Sequence, residues 1–437
     1  MNRKEYPRRR RRLMQMMGRD SIAILPAAPL QMRNRDVEHA YRPDSNFYYL
    51  SGFDEPNSVA VLVPGRPQGE YILFCQERDP KMEMWNGPRA GPAGACERFG
   101  ADDAFPIDDL DEILPGLLED REKVFYSMGF TAEFDHKMMG WLNLVREKSR
   151  VGVHAPNEFV ALDHLLHEMR LFKSRSEIKI MRDAARISAR AHCRAMQVCT
   201  PGMMEYQLEA ELRHEFAQHG CREQAYQPIV GGGKNACVLH YIRNDGELKD
   251  GDLVLIDAGA EKQCYASDIT RTFPVNGRFS EPQKAIYEIV LAAQEAAIEA
   301  VKPGNHWNDP HHAAVRAITK GLQKLGLIKG NLRTLIKDEA YRRFFVHRTG
   351  HWLGMDVHDV GEYKIDGVWR LLEAGMVLTV EPGIYIQPGS RGVARKWWGI
   401  GVRIEDDLLV TKDGYEILSE GVPKSVEEIE ALMATTR

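Results

Sequence analysis

The sequence predicts two α/β domains, the second a pseudo-twofold repeat with its site between the halves. Two observations carry this. From about residue 21 to residue 153, short β-rich runs alternate with helical stretches, each bounded by Gly, Pro or Asp. From residue 173 onward one order of elements occurs twice, a pair of helices followed by β-rich sequence. Repetition on that scale marks a duplicated supersecondary unit. The boundary falls just before the first long helix, giving domains 1–172 and 173–437, and a length of 437 residues suits two large domains.

In the first domain the expected strands are 21–25, 47–50, 58–63, 71–75, 123–126 and 151–154, and the Pro- and Gly-rich stretch 88–94 reads as a loop. Five consecutive arginines, Arg8 to Arg12, precede the apolar run at residue 22. Gly18-Arg19-Asp20 separates the two and Pro26 breaks the apolar run, so the pattern does not fit a secretory leader. It reads as a solvated helix face leading into the first strand.

In the second domain Ser174-Arg175-Ser176-Glu177 is a capping box. Ile178, Met181, Ala185 and Ser188 recur at helical spacing and carry that helix to about Cys199. A second helix spans about 204–220. Ser280-Glu281-Pro282-Gln283 opens the third, which stops at Lys302-Pro303-Gly304, and Asp309-Pro310 opens the fourth, which ends at Gly326. The β-rich partners are 252–258 and 264–273 in the first repeat, 376–381 and 401–410 in the second.

Composition narrows the function. With 58 Lys+Arg against 63 Asp+Glu, the net charge of −5 argues against a nucleic-acid binder. A mean hydropathy of −0.40, with no uncharged apolar run near 18 residues, argues against a membrane span. The seven cysteines form no CxxC pair and read as buried thiols in a reducing, cytoplasmic setting.

The chemistry lies in four acids and a set of histidines. Asp257 ends the run Leu253-Val254-Leu255-Ile256, and Asp268 follows in Tyr265-Ala266-Ser267-Asp268. A hairpin turning at Lys262-Gln263 would set these two opposite each other, roughly 5 Å apart at Cβ, a repulsive pairing unless a cation lies between. Glu381 ends Met376-Val377-Leu378-Thr379-Val380 and is stopped by Pro382-Gly383, while Glu405 closes Gly401-Val402-Arg403-Ile404. Acids on half-buried strands are rare unless paired or metal-bound. Residues 347–358 carry three histidines, His347, His351 and His358. His240 follows Gly231-Gly232-Gly233-Lys234, which lacks the P-loop pattern and reads as backbone passing close to another group, substrate being one candidate. Four carboxylates and an imidazole suit two hard or borderline divalent ions, manganese ahead of zinc. A water held between two such ions gives up a proton near neutral pH.

These residues resemble the dinuclear site of the pita-bread metallopeptidases. The stretches around His351-Trp352-Leu353-Gly354 and Thr379-Val380-Glu381-Pro382-Gly383 are similar to the aminopeptidase P family, as are Tyr41-Arg42-Pro43-Asp44 and Ser51-Gly52-Phe53 in the first domain. The resemblance covers nearly the whole chain. It implies a creatinase-like N-terminal α/β domain, a pita-bread α+β catalytic domain and two Mn²⁺ ions. It implies hydrolysis of the N-terminal Xaa-Pro bond of peptides by a metal-bridging hydroxide. By motif position Asp268 and Glu405 would bridge both ions, Asp257 would bind one, and His351 and Glu381 the other. Glu381 would also serve as general acid/base, and His240 and His358 would hold the scissile carbonyl. His347, Tyr385 and Arg403 would line the proline pocket, and Arg403 shares a strand face with Glu405, so orienting the carboxylates is an alternative role for it. The resemblance also implies a homo-oligomer, dimer or tetramer, in which the N-terminal domain of a neighbouring subunit closes the site. Trp85 lies in a segment similar to the one that does so, although Glu83-Met84-Trp85-Asn86-Gly87 departs from the usual pattern there.

A prolidase would share all five ligands and need an arginine for the dipeptide carboxylate, for which Arg370 and Arg403 are candidates. A binding protein on the same fold would have lost ligands. His164-Leu165-Leu166-His167-Glu168 matches neither HExxH nor HxxEH.

Overall fold

The structure is a computed structural model that describes residues 1–435. The chain divides into two compact units, Met1–Met169 and Arg170–Arg437.

The first unit is a six-stranded mixed sheet. Its order is Asp103–Pro106, Tyr71–Cys75, Val59–Leu62, Ser21–Pro26, Lys123–Phe125 and Glu158–Val160. The pairings of Val59–Leu62 with its two neighbours are antiparallel and the other three are parallel. Ile22, Ile24, Val61, Ile72 and Phe74 point into a core closed by Leu110, Leu114, Met138 and Trp141 from two helices.

Four expectations for this unit are corrected. Residues 47–50 lie in a helix, Ser45–Ser51, not a strand. The Asp44 carboxylate accepts the Phe47 N–H at 2.8 Å and Gly52 ends the helix at φ 65°, so capping overrides the β-rich composition. Residues 151–154 are not a strand: Val151 ends a 3₁₀ turn capped by Gly152, and the strand begins later, at Glu158. Part of 88–94 is helical, because Pro92 supports the first turn of Gly91–Phe99. The arginine run lies on the helix Glu5–Met17, but Arg9 and Arg10 are buried. Arg9 donates to the Tyr49 carbonyl at 3.0 Å and stacks over the Tyr49 ring; Arg10 donates to the Leu50 carbonyl at 2.9 Å and covers Tyr71.

The second unit repeats its elements. Arg175–Val198 and Glu205–Gln218 form one helix pair, Glu281–Ile298 and Asp309–Lys324 the other. The Ser174 capping box starts the first helix. The first sheet runs Thr270–Pro274, Leu253–Asp257, Ile229–Gly232. The second repeat supplies Val377–Val380 with Asp406–Val410 and Tyr415–Ile417, and separately Gly383–Ile386 with Ile400–Arg403.

The β-rich stretch 401–410 is therefore two strands, each in its own sheet. Val380 faces Asp406 and Gly383 faces Arg403, so the break at Glu381-Pro382 lies across from the break at Ile404-Glu405. Pro382 cannot donate to a ladder, which is why the pairing changes there. The hairpin register also differs from expectation. Its turn is Gln263-Cys264, both at positive φ, and Asp257 faces Thr270. Both residues of a two-residue turn at positive φ match the right-handed twist of the strands. Asp268 then lies across from Gly259, two residues from the predicted partner. The shift is even, so both acids stay on one face.

The glycine-rich stretch approaches its own chain. A Cβ on Gly231 would lie 2.9 Å from the Asn235 carbonyl carbon, and one on Gly232 2.7 Å from a Leu248 methyl.

Candidate metal centre

Each acid is delivered by an element end. Asp257 is the last residue of its strand, and Asp268 is fixed because Ala258 N–H reaches the Ile269 carbonyl while Ser267 N–H reaches that of Ala260. The Tyr226 hydroxyl lies 2.5 Å from Asp257 Oδ1 and 2.5 Å from Asp268 Oδ1, which ties the two together. Glu405 N–H donates to the Thr270 carbonyl at 3.0 Å, and Thr270 Oγ1 donates to Glu405 Oε2 at 2.6 Å. The second repeat's acid is thereby held against the first repeat's strand.

His351 arrives on an extended segment antiparallel to Val377–Val380. Leu353 N–H meets the Val377 carbonyl, Thr379 N–H that of His351 and Glu381 N–H that of Thr349. A Cβ on Gly350 would fall 2.0 Å from the Thr379 oxygen, so only glycine permits this approach. His351 Nδ1 bonds the Trp352 carbonyl at 2.9 Å, leaving Nε2 toward Asp268 Oδ2 at 3.4 Å and Glu381 Oε1 at 3.7 Å. Fixing one ring nitrogen on a carbonyl is how a ligating histidine is oriented.

Tyr226, Asp257, Asp268, His351, Glu381, Arg403 and Glu405 line one cleft of about 590 Å³, together with His240, His347 and His358. Its apolar wall includes Ile229, Leu239, Ile242 and Val357. His240 and His358 are exposed at the cleft, and the His358 ring stands 4.3 Å from that of His351. Arg403 is buried and fully engaged: Nη2 donates to Asp257 Oδ2 at 2.6 Å, Nη1 to the Tyr385 hydroxyl at 3.0 Å and Nε to Thr270 Oγ1 at 3.1 Å. Tyr385 in turn lies 2.8 Å from His347 Nε2. Burial, reinforced by the Arg403 charge, pushes His347 down to about 4.

The electrostatics favour a bound cation. Burial raises Glu405, Asp268 and Glu381, the last to about 7, and mutual repulsion among the acids adds to each shift. Burial alone would lower His351, but its Asp268 hydrogen bond and the Glu381 charge outweigh this and carry it to about 9. Asp268, His351 and Glu405 each offer a ligand atom, all within 4.8 Å of one another. An oxygen-rich donor set short of positive charge fits a divalent metal.

Trp85 lies in the first unit, on the helix Pro80–Asn86, which has no buried residue; the side chain is 82% exposed. Arg370 is buried beneath the Phe172 ring and does not line the cleft. His164 binds the Ala161 carbonyl at 2.6 Å and stays apart from any ligand cluster among the described residues.

Three residues escaped the sequence reading. Tyr226 carries no sequence signal. Thr270 lies two residues after Asp268, on the same strand face. Asp407, whose carboxylate accepts the Asp268 N–H at 3.0 Å, belongs to the run Glu405-Asp406-Asp407, an anomaly in an apolar strand that was there to be noticed.

Residues 179–412 match metallopeptidase family M24, and residues 6–126 match the aminopeptidase P N-terminal domain. The chain is 45% identical to the Xaa-Pro aminopeptidase of Escherichia coli K12 over 438 residues, covering 100% of this chain and 99% of that protein. Among solved structures, Pseudomonas aeruginosa aminopeptidase PepP superimposes with a TM-score of 0.99 at 61% identity, covering 100% of this chain and 99% of the other. A zinc-substituted E. coli aminopeptidase P in complex with product gives 0.97 at 45% identity, with coverage of 100% and 99%. By a match spanning more than half its length and relatives aligned end to end, the chain belongs to metallopeptidase family M24, with an aminopeptidase P N-terminal domain ahead of its pita-bread catalytic unit.

Proposed function

We propose that this metallopeptidase is an Xaa-Pro aminopeptidase holding two Mn²⁺ ions. Asp268 and Glu405 would be shared ligands, Asp257 would serve one ion, and His351 and Glu381 the other. The observation that carries the reading is the convergence of Asp257 and Asp268 on one tyrosine hydroxyl, with His351 Nε2 directed at Asp268 and Glu381. Bound divalent metal supplies carbonyl polarisation and a water acidic enough to attack at neutral pH.

The remaining steps belong to the chain's own groups. A peptide bond to proline has no N–H and a fixed φ, so recognition must come from shape and from the carbonyl. His240 and His358 donate toward the scissile carbonyl oxygen, on which negative charge develops as it becomes tetrahedral. Glu381 takes the proton of the attacking water and returns it to the proline nitrogen as the C–N bond breaks. His347 and Arg403 flank the proline ring from the cleft wall, Tyr385 ties them together from behind through its hydroxyl, and Arg403 also steadies Asp257. The protein acts as a cytoplasmic homo-oligomer in which exposed Trp85 serves a neighbouring copy; its seven cysteines, four of them buried, suit a reducing compartment.

Neither arginine offered for a dipeptide carboxylate is free for it, since Arg403 is paired with Asp257 and Arg370 lies outside the cleft. The test is kcat/KM of the manganese-loaded protein on an Xaa-Pro-Yaa tripeptide and on the Xaa-Pro dipeptide. Preference for the tripeptide with release of free Xaa is expected. Preference for the dipeptide would make it a prolidase, and turnover of neither would leave a binding protein.

A further inference from the structure

The turn that carries His351 at one end and His358 at the other rests on charged groups outside the reaction scheme. Asp359 is buried and receives two cations. Lys173 Nζ donates to its Oδ2 at 3.0 Å and Arg170 Nη2 to its Oδ1 at 2.6 Å. Arg170 Nη2 also donates to Asp356 Oδ2 at 2.7 Å. The side chains of Lys173 and Asp359 are each 1% exposed and that of Arg170 is 3% exposed. Removing such ions from water carries a large penalty, and apolar packing of similar volume is often as stable or more so, so stability is weak grounds for the arrangement.

The geometry gives another reason. The turn is drawn tight around this cluster: Asp359 N–H meets the Trp352 carbonyl at 2.9 Å, and Asp356 N–H reaches Asp359 Oδ1 at 3.3 Å. Gly354 has no side chain where one would collide, since a Cβ there would lie 2.1 Å from Asp359 Oδ2 and 3.0 Å from Lys173 Cε. The Gly354 carbonyl accepts the Ala266 N–H at 2.8 Å, which links the turn to the hairpin bearing Asp268. Lys173 is itself anchored, its N–H on the Gly375 carbonyl at 2.8 Å. Asp359 directly follows His358.

We propose that Lys173, Asp359 and Arg170 form a buried ionic anchor that sets the curvature of the 352–359 turn and so holds the His358 ring in register with His351 and the metal ligands. These are positioning residues. The consequence for catalysis rests on the role given to His358 above, whereas the consequence for the ring's place does not.

The test uses the full-length, manganese-loaded protein and the tripeptide substrate, with Asp359→Asn introduced into wild type and into His358→Ala. In wild type, Asp359→Asn is expected to lower kcat 10- to 100-fold with KM changed less than twofold. In the His358→Ala background the same substitution is expected to change kcat less than twofold, because the group it positions is gone. Equal losses in both backgrounds, or an unchanged kcat in the first, overturn the proposal. A merely structural role would give the equal losses. Where Asp359→Asn does not fold, Lys173→Met, which leaves Asp359 on Arg170, carries the same comparison. The histidine ring NMR signals of His358, followed in the wild type, Asp359→Asn and Lys173→Met loaded with diamagnetic Zn²⁺ in place of Mn²⁺, separate this proposal from the functional reading. If the wild type cleaves neither peptide, the functional reading fails, and the ring signal still decides: displaced supports the anchor, unmoved overturns it.

Discussion

Asp268 is the residue on which both halves of the centre converge. It meets Tyr226 from the first repeat and His351 from the second, and its own N–H is held by Asp407. Asp268→Ala is expected to abolish Mn²⁺ binding and turnover while leaving the far-ultraviolet circular dichroism spectrum unchanged. Retained activity in that variant would remove the carboxylate from the mechanism. At this scale Asp257, Glu381 and Glu405 were legible because each ends an apolar strand run where a carboxylate does not belong, and the repeat put them and Asp268 in matching places. Their supports were less legible. Tyr226 reaches Asp257 and Asp268 across a loop whose sequence has no periodicity, so only the folded chain shows what its hydroxyl meets. Arg9 and Arg10 mark the opposite failure: a run of like charges reads as solvated, yet carbonyls and aromatic faces within reach made burial tolerable for two of them.

The elements show how a register error can leave a functional conclusion standing. The hairpin from Asp257 to Asp268 turns one residue later than its sequence suggests, because Gln263 and Cys264 adopt positive φ without the Asn-Gly chemistry that usually announces such a turn. Parity was preserved, so the two carboxylates still share a face. Close approach inside this hairpin is tight: a Cβ on Gly259 would stand 1.7 Å from the Ser267 oxygen. Gly259→Ala must therefore open the hairpin or shift it. It is expected to cost about 1–3 kcal/mol in chemical denaturation, and to weaken Mn²⁺ binding measured by calorimetric titration. Unchanged metal affinity in a destabilised variant would mean that the ligands do not depend on this register. The short helix Ser45–Ser51 illustrates the other limit. Its Phe-Tyr-Tyr-Leu composition favours a strand, and one capping aspartate with one left-handed glycine decided otherwise.

At the scale of the whole molecule, the response of stability to acid is set by imidazoles folded away in the neutral state. His192 is fully buried under the hairpin, with Nε2 on the Ala258 carbonyl at 3.0 Å, and burial pushes it down to about 4; Arg271 pushes the same way, while the Ala258 bond, Asp257 and Asp406 oppose. His311, on Thr349 Oγ1 at 2.8 Å, is brought to about 3 by burial and by Arg348. An unfolded histidine titrates near 6.5, at about its ordinary value. As the pH falls below that, the unfolded chain takes up protons that the native chain refuses, so folding stability is lost from about pH 6.5 down to the folded values. For His192 this amounts to something on the order of 3 kcal/mol. Asp359, held low by Lys173 and Arg170 against its burial, keeps its contribution through that window and loses it only at lower pH, as it falls through its depressed folded value. The raised carboxylates of the centre act in the opposite sense, so the measurement must be a difference. Denaturation midpoints of wild type and His192→Gln, taken from pH 4.5 to 7.5 under identical metal conditions, cancel that shared contribution. The variant keeps a donor for the Ala258 carbonyl and has no imidazole to protonate. It is expected to lose less stability than wild type as the pH falls from 6.5 to 4.5, its slope shallower by close to one proton. Parallel pH profiles would show that His192 remains uncharged in both states or accepts its proton within the fold, and the burial argument would fail.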